Sequence, residues 1–154
     1  MQPTQPQQPQ LRTKPALAKD FNSGVFELIT MAEKKTRDEM TISNLDRARK
    51  RLNMLIYNMG DITPLNEAYP FWTDYSDHIL EPDQAKRDNF FLTLDVRAEY
   101  AKYSKVVKQE DEFFFSLTDA IRELYKKSSS ADKANVYKIV NRLLQCSLEY
   151  AMLV

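Results

Sequence analysis

His78 and Cys146 are the side chains of this sequence best suited to nucleophilic or metal chemistry, and each is the only residue of its type. A histidine activates a cysteine thiol when the two side chains meet in the fold. No motif in the sequence brings this pair together, so a packed or surface imidazole and a buried, unreactive thiol are the favoured interpretations. Zinc and di-iron sites on helices need further histidines or cysteines. We therefore predict no catalytic residue, no metal site and no cofactor.

Glycine is scarce, since Gly24 and Gly60 are the only two among 154 residues. The known phosphate-binding loops place several glycines within a few positions of each other, so this sequence contains none of them. Carboxylates on facing helices could perform acid–base chemistry, but spacing in the sequence does not show that they meet. The sequence thus predicts a protein that is not an enzyme and takes no small-molecule substrate.

A basic cluster stands out among the charged residues. Arg47, Lys50 and Arg51 would share one face of a helix over residues 43–59, opposite its apolar stripe. Residues 41–60 carry four basic side chains and one acidic side chain. Such a face can contact the phosphates of a nucleic acid, and binding would then weaken steeply with salt. Alternatively it is a solvated outer face, or the charged rim of a protein contact.

Large aromatic residues are concentrated near the carboxyl-terminal half. Phe113–Phe115 would cover about 300° of a helix surface, which is more than one core face absorbs. The last five residues are also apolar, where chain ends are usually polar. These features predict apolar contacts with a partner or a second copy through Phe114, Tyr150, Leu153 and Val154. A well-buried core of a single domain is the alternative.

The elements that carry these residues are predicted to be helices. The clearest one runs from Ser43, as N-cap, to Gly60, which would end it in a left-handed conformation. Apolar residues recur along it at spacings of three and four, at Leu45, Ala48, Leu52, Leu55 and Met59. That spacing indicates a helix with one buried face.

Helical patterns also cover most of the remaining chain. A short helix opens at Thr63, and Pro70 should end or kink it near Tyr69. Ser129 and Asp132 form a predicted capping box at the start of the last helix. The other predicted helices cover residues 23–35, 83–105, 109–127 and 131–152. A division near residue 108 is favoured, although continuity between helices 83–107 and 109–127 stays open.

The amino-terminal stretch 1–15 differs in composition, with five glutamines and four prolines. It predicts a disordered tail, whose PxxP spacings leave a role as a ligand open. We therefore predict an all-α fold, a bundle of five or six helices over residues 16–154, with a disordered Pro/Gln-rich tail.

Charge and hydropathy limit the functional classes. The 22 basic and 22 acidic residues cancel, so no global field gathers nucleic acid or an acidic membrane. No apolar run is long enough for a membrane span, and no signal-peptide core is evident, so an intracellular protein, cytoplasmic or nuclear and cellular or viral, is expected. We predict a non-enzymatic interaction protein, a subunit, adaptor or virus-type structural component of a larger assembly. A nucleic-acid-associated protein that uses the basic face is the alternative.

Overall fold

The computed structural model describes residues 11–102 and 111–154, and every regular element in these ranges is helical. The predicted all-α class is confirmed. These ranges contain eight helices, so the predicted number of five or six is not confirmed. The helices are α1 (Lys14–Lys35), α2 (Glu39–Met59), α3 (Thr63–Asp74), α4 (Ser76–Ile79), α5 (Gln84–Thr93), α6 (Val96–Ala101), α7 (Asp111–Lys126) and α8 (Ser130–Leu153). None of those described is both long and apolar enough to cross a lipid bilayer.

Helix α1 begins at Lys14, well before the start predicted at residue 23. The Thr13 hydroxyl accepts a hydrogen bond from the Ala16 amide at 3.3 Å, which caps the helix. Pro15 stands in the first turn, where a backbone N–H has no carbonyl partner within the helix. The N–H that proline lacks therefore costs no helical hydrogen bond. The helix therefore begins inside the stretch 1–15 that the sequence predicts to be a tail, because proline is well suited to the first turn of a helix. The first ten residues of that tail lie outside the described ranges.

Helix α2 ends where the sequence predicts but begins earlier than predicted. It begins at Glu39, because the Asp38 carboxylate accepts hydrogen bonds from the amide and hydroxyl of Thr41 at 2.9 and 2.7 Å. Asp38 thus replaces Ser43 as the N-cap. Gly60 ends the helix with a φ of 100°, as predicted. Side chains with a Cβ adopt such an angle only with strain.

Helix α3 continues through Pro70 to Asp74, so of the two outcomes predicted for Pro70, an end or a kink near Tyr69, the helix end does not occur. Proline removes one backbone donor and crowds the preceding turn. Tyr69 and Trp72, on either side of Pro70, pack against the core and hold this stretch in place. Tertiary packing here outweighs the local preference.

The single helix predicted over residues 83–105 is divided into α5 and α6. Leu94 takes an extended conformation, with φ −60° and ψ 126°. The Asp95 carboxylate then accepts a hydrogen bond from the Ala98 amide at 3.1 Å and starts α6. Arg122 of α7 donates to the Leu94 carbonyl, which gives a partner to a group freed by the break.

The last helix begins where its capping signal predicts. The Ser129 hydroxyl accepts a hydrogen bond from the Asp132 amide at 3.2 Å, and α8 follows from Ser130. The predicted division near residue 108 and the question of continuity between helices 83–107 and 109–127 fall on residues 103–110, outside the described ranges.

Two clusters of buried side chains form the core, and α1 contributes to both. The first, between α1, α3 and α8, contains Leu17, Phe21, Leu65, Leu143, Cys146 and Tyr150. The second, between α1 and α2, contains Ile29, Ala32, Leu45 and Ala48. Helices α1 and α8 approach closely at Gly24, where an added Cβ would lie 2.7 Å from Leu143 Cδ2. Two neighbouring helices thus cover much of the broad apolar surface of α8.

Candidate functional site

The histidine and the cysteine take part in separate contacts. The exposed His78 ring stacks on Phe90, with centroids 4.0 Å apart and an interplanar angle of 3°. The Cys146 thiol is fully buried and donates a hydrogen bond to the Asp20 carboxylate at 3.3 Å. Burial, followed by this hydrogen bond, raises the pKa of Cys146 to about 11. The thiol is therefore protonated at neutral pH, and its polar partners among the described residues are Asp20 and Arg12 rather than His78.

Around this thiol, charged side chains connect the start of α1 with the end of α8. Arg12 pairs with Asp20 at 2.7 Å and with Glu149 at 2.6 Å, and Arg142 pairs with Asp20 at 2.6 Å. Burial alone would raise the pKa of Asp20, but hydrogen bonds from Arg12, Arg142 and Cys146 outweigh it and hold the pKa below its ordinary value. The hydrogen bond from Arg12 likewise lowers the pKa of Glu149. Each of these charges has an opposite partner in the chain, so this network clamps two helices together.

The apolar contacts predicted from the carboxyl-terminal half divide into three groups. Tyr150, predicted as a partner contact, is 3% exposed and donates a hydrogen bond to the Asn66 side chain at 2.6 Å, so the structure places it in the core of the chain rather than on its surface. Leu153 is partly buried against the same core, whereas Val154 is 60% exposed. Phe114 lies outside the residues whose side chains the structure describes.

The exposed apolar surface is concentrated instead on α2. Of the nine large hydrophobic residues described as exposed, five belong to this helix. Met40, Met54 and Tyr57 are 74%, 55% and 90% exposed. At 100° per residue they fall within a sector of about 100°, which also contains Arg47 and Lys50. We call these five residues the outer face of α2.

The basic residues of this region differ in their surroundings. Arg47 and Arg51 are exposed on the outer side of α2, as predicted for that face. Lys50 is also exposed and pairs with Asp46 at 2.8 Å, one turn away. Arg49 turns towards α1, where it donates to the Thr30 hydroxyl at 3.0 Å and pairs with Glu33. The structure therefore brings the predicted charged residues to solvent, beside the exposed methionines and tyrosine.

A shallow concavity open to solvent lies at the carboxyl end of the outer face. Its lining residues are Asn53, Met54, Ile56, Tyr57, Asn58 and Asp61. Apolar side chains, polar amides and the Asp61 carboxylate thus share its walls.

Sequence reasoning missed the apolar part of this face. It assigned Met59 to the buried stripe, but Met59 is 65% exposed, because the fully buried contacts of α2 are limited to Leu45 and Ala48. The available signal was Met54 and Tyr57, two large side chains three residues apart on the face opposite Leu45. Such a pair on a charged face indicates a contact surface rather than a core.

A scan against protein-family models, a search of curated proteins and a search of solved structures each found no match. Within the described ranges, no three His, Cys, Asp or Glu side chains are grouped so that they could hold a metal ion. Function is therefore inferred from the surface of this chain alone.

Proposed function

We propose that this protein is a non-enzymatic interaction module, acting as a subunit or adaptor of a larger assembly, and that it contacts a protein partner through the outer face of α2. The observation that supports this function is the exposure of Met40, Met54 and Tyr57 on one face of one helix. Exposed apolar patches edged by polar residues mark interaction sites. Tyrosine, methionine and arginine are also enriched in interface cores.

The outer face lies away from the buried contacts of α2. Helix α2 is held in the domain by Leu45 and Ala48, which pack with Ile29 and Ala32 of α1. Fully burying one large apolar side chain stabilises by about 1.5–3 kcal/mol. Tyr57, 90% exposed, makes little of that contribution in the free chain, and Met54, 55% exposed, makes only part of it, so burial by a partner would add the remainder.

The predicted carboxyl-terminal contacts form a smaller second surface in this proposal. Val154 and Met152 are 60% and 70% exposed at the end of α8, beside the partly buried Leu153. Phe114 remains a prediction. This surface would extend an interface, whereas the outer face of α2 would form its centre.

The first prediction concerns the position of the contact. A photo-crosslinking amino acid in place of Met54 or Tyr57 should form a covalent adduct of defined mass when the full-length chain is irradiated in its native cells. The expected result follows because both positions are exposed and would be covered by the partner. Adducts would be measured by denaturing gel electrophoresis and mass spectrometry.

Lys138 provides the matched control for this experiment, since it is exposed on α8, away from the outer face of α2. The same crosslinker at Lys138 should give no discrete adduct. Equal labelling at Lys138, or no adduct at either α2 position, would reject the proposed location.

Nucleic-acid association is a second candidate, and one feature favours it. Tyr57 is 90% exposed on the face that carries Arg47 and Lys50, and exposed aromatic residues beside basic ones stack on bases in single-stranded nucleic-acid binders. Against it, the Lys50 charge is shared with Asp46 and the Arg49 charge with Glu33. Protein binding is therefore the better-supported proposal.

A further inference from the structure

We infer that the partner of the outer face of α2 is an amphipathic helix of another protein, with acidic side chains flanking a row of apolar ones. This inference rests on the proposed function and adds the chemistry of the partner. Charge complementarity supports the choice. Arg47 and Lys50 stand between Met40 at one end of the face and Met54 and Tyr57 at the other.

The charge of this region is positive in sequence and on the surface. Residues 41–60 carry four basic groups against the single acid Asp46. Arg49 is paired with Glu33 and Lys50 with Asp46, but the pair of Lys50 is exposed to solvent and therefore weak, so Arg47 and Lys50 can both attract a partner's carboxylates. Acidic side chains beside the apolar row of a partner would therefore gain from these two cations and fix the alignment of the contact.

A second copy of this chain fits the face poorly. Two α2 helices packed antiparallel about a two-fold axis near their centre would place Arg47 and Lys50 opposite the same residues of the other copy. Like charges in apposition oppose association. The positive charge of this face thus favours a different protein, rather than a second copy of this chain, as the partner.

The dimensions of the face suit a helix. From Met40 to Tyr57 the axis of α2 rises about 26 Å, the length of roughly five helical turns. Met40, Arg47 and Met54 are seven residues apart, the spacing at which one helix presents side chains to a neighbouring helix. The concavity beside Tyr57 would receive one apolar side chain at the end of that row.

The test uses a display library of helical peptides about 20 residues long, selected on the full-length protein. Peptides that also bind a Met54→Ala/Tyr57→Ala variant, which removes the apolar contacts without changing the charge and is shown to be folded by circular dichroism, are removed. The remaining peptides should contain more Asp and Glu than the unselected library, next to apolar residues spaced three and four apart. Their dissociation constants, measured by fluorescence anisotropy, should increase about tenfold for Arg47→Glu/Lys50→Glu.

Two controls test whether the weaker peptide binding is specific to Arg47 and Lys50. A Lys86→Glu/Lys138→Glu variant makes the same change of charge at exposed positions outside α2 and should bind the peptides unchanged. The Arg47→Glu/Lys50→Glu variant should regain binding when the acidic residues of a selected peptide are replaced by lysine.

Three outcomes would overturn the inference. In the first, the selected peptides have no excess of acidic residues. In the second, no selected peptide depends on Met54 and Tyr57 for binding. In the third, a 20-nucleotide oligothymidine binds this face and displaces the peptides. If crosslinks form at positions 54 and 57 while the selected peptides lack acids, protein binding stands and the acidic partner is rejected.

Discussion

Asp20 shows how single ionisable groups serve the fold of this protein. Its carboxylate lies between two arginines and the Cys146 thiol, and its pKa is held below the ordinary value of 3.8. In the unfolded chain that pKa returns to normal. The resulting stabilisation is therefore complete above a pH of about 4 and is lost as the pH falls through the folded-state pKa. Glu149, whose pKa is also lowered, acts in the same direction.

The prediction at this scale is a loss of stability in Asp20→Asn. The substitution leaves Arg12 and Arg142 without their shared carboxylate, and we expect the free energy of unfolding at pH 7 to fall by about 1–3 kcal/mol. The variant should also lose less stability than the wild type does between about pH 5 and pH 2, because it lacks this carboxylate. Urea unfolding followed by circular dichroism at several pH values measures both effects.

Asp46→Asn is the matched control, because Asp46 pairs with Lys50 in the open, with both side chains more than half exposed. Its effect should stay below about 1 kcal/mol. Equal losses in the two variants would show that the network around Asp20 contributes no more than a surface pair.

At the scale of elements, the two ends of α2 decide where its outer face begins and stops. Asp38 caps the start, and Gly60 turns the chain into α3 with a φ of 100°. Nothing lies within 4 Å of a Cβ added at Gly60. Any substitution there therefore reports on backbone strain and not on packing.

We predict that Gly60→Ala destabilises the protein by about 1–3 kcal/mol, because a residue with a Cβ rarely adopts this conformation. The midpoint of urea unfolding measures the change. Asn58→Ala, exposed in the last turn of the same helix, should change stability by less than about 0.5 kcal/mol. An unchanged midpoint in Gly60→Ala would mean that the turn relaxes without strain.

For the whole molecule, the distribution of charge bears on the association that we propose. The chain is neutral overall, while α2 presents Arg47 and Lys50 to solvent. Self-pairing through this face brings like charges together, and a partner of opposite charge avoids that repulsion. The exposed apolar residues then remain uncovered in the isolated protein.

We therefore predict that light scattering gives the mass of a monomer, 18.0 kDa, at low and at moderate salt. A stable dimer held through the outer face of α2 would contradict the choice of a different protein as the partner of that face. Comparing Met54→Glu with Val154→Glu would then show which of the two exposed surfaces pairs, since only a charge within the interface should restore the monomer.

The sequence by itself determined the fold class and the helix signals that act within a few residues. The helix end at Gly60 and the Ser129 cap were both predictable, because caps and left-handed turns depend on neighbouring backbone groups. The start of α1 at Thr13–Pro15 also depends on neighbouring backbone groups. It was missed because the prolines suggested a disordered tail.

Only the tertiary structure decided which apolar faces are covered. Tyr150 and Met59 both continue apolar stripes, yet Tyr150 is buried under α1 and α3 while Met59 projects into solvent. At the break between α5 and α6, the Leu94 carbonyl accepts a hydrogen bond from Arg122, which is distant in sequence. Helical periodicity identifies an apolar face, but burial of that face depends on segments that approach from elsewhere in the chain. For the same reason, the exposure of the apolar residues on the outer face of α2 became evident only in the folded molecule.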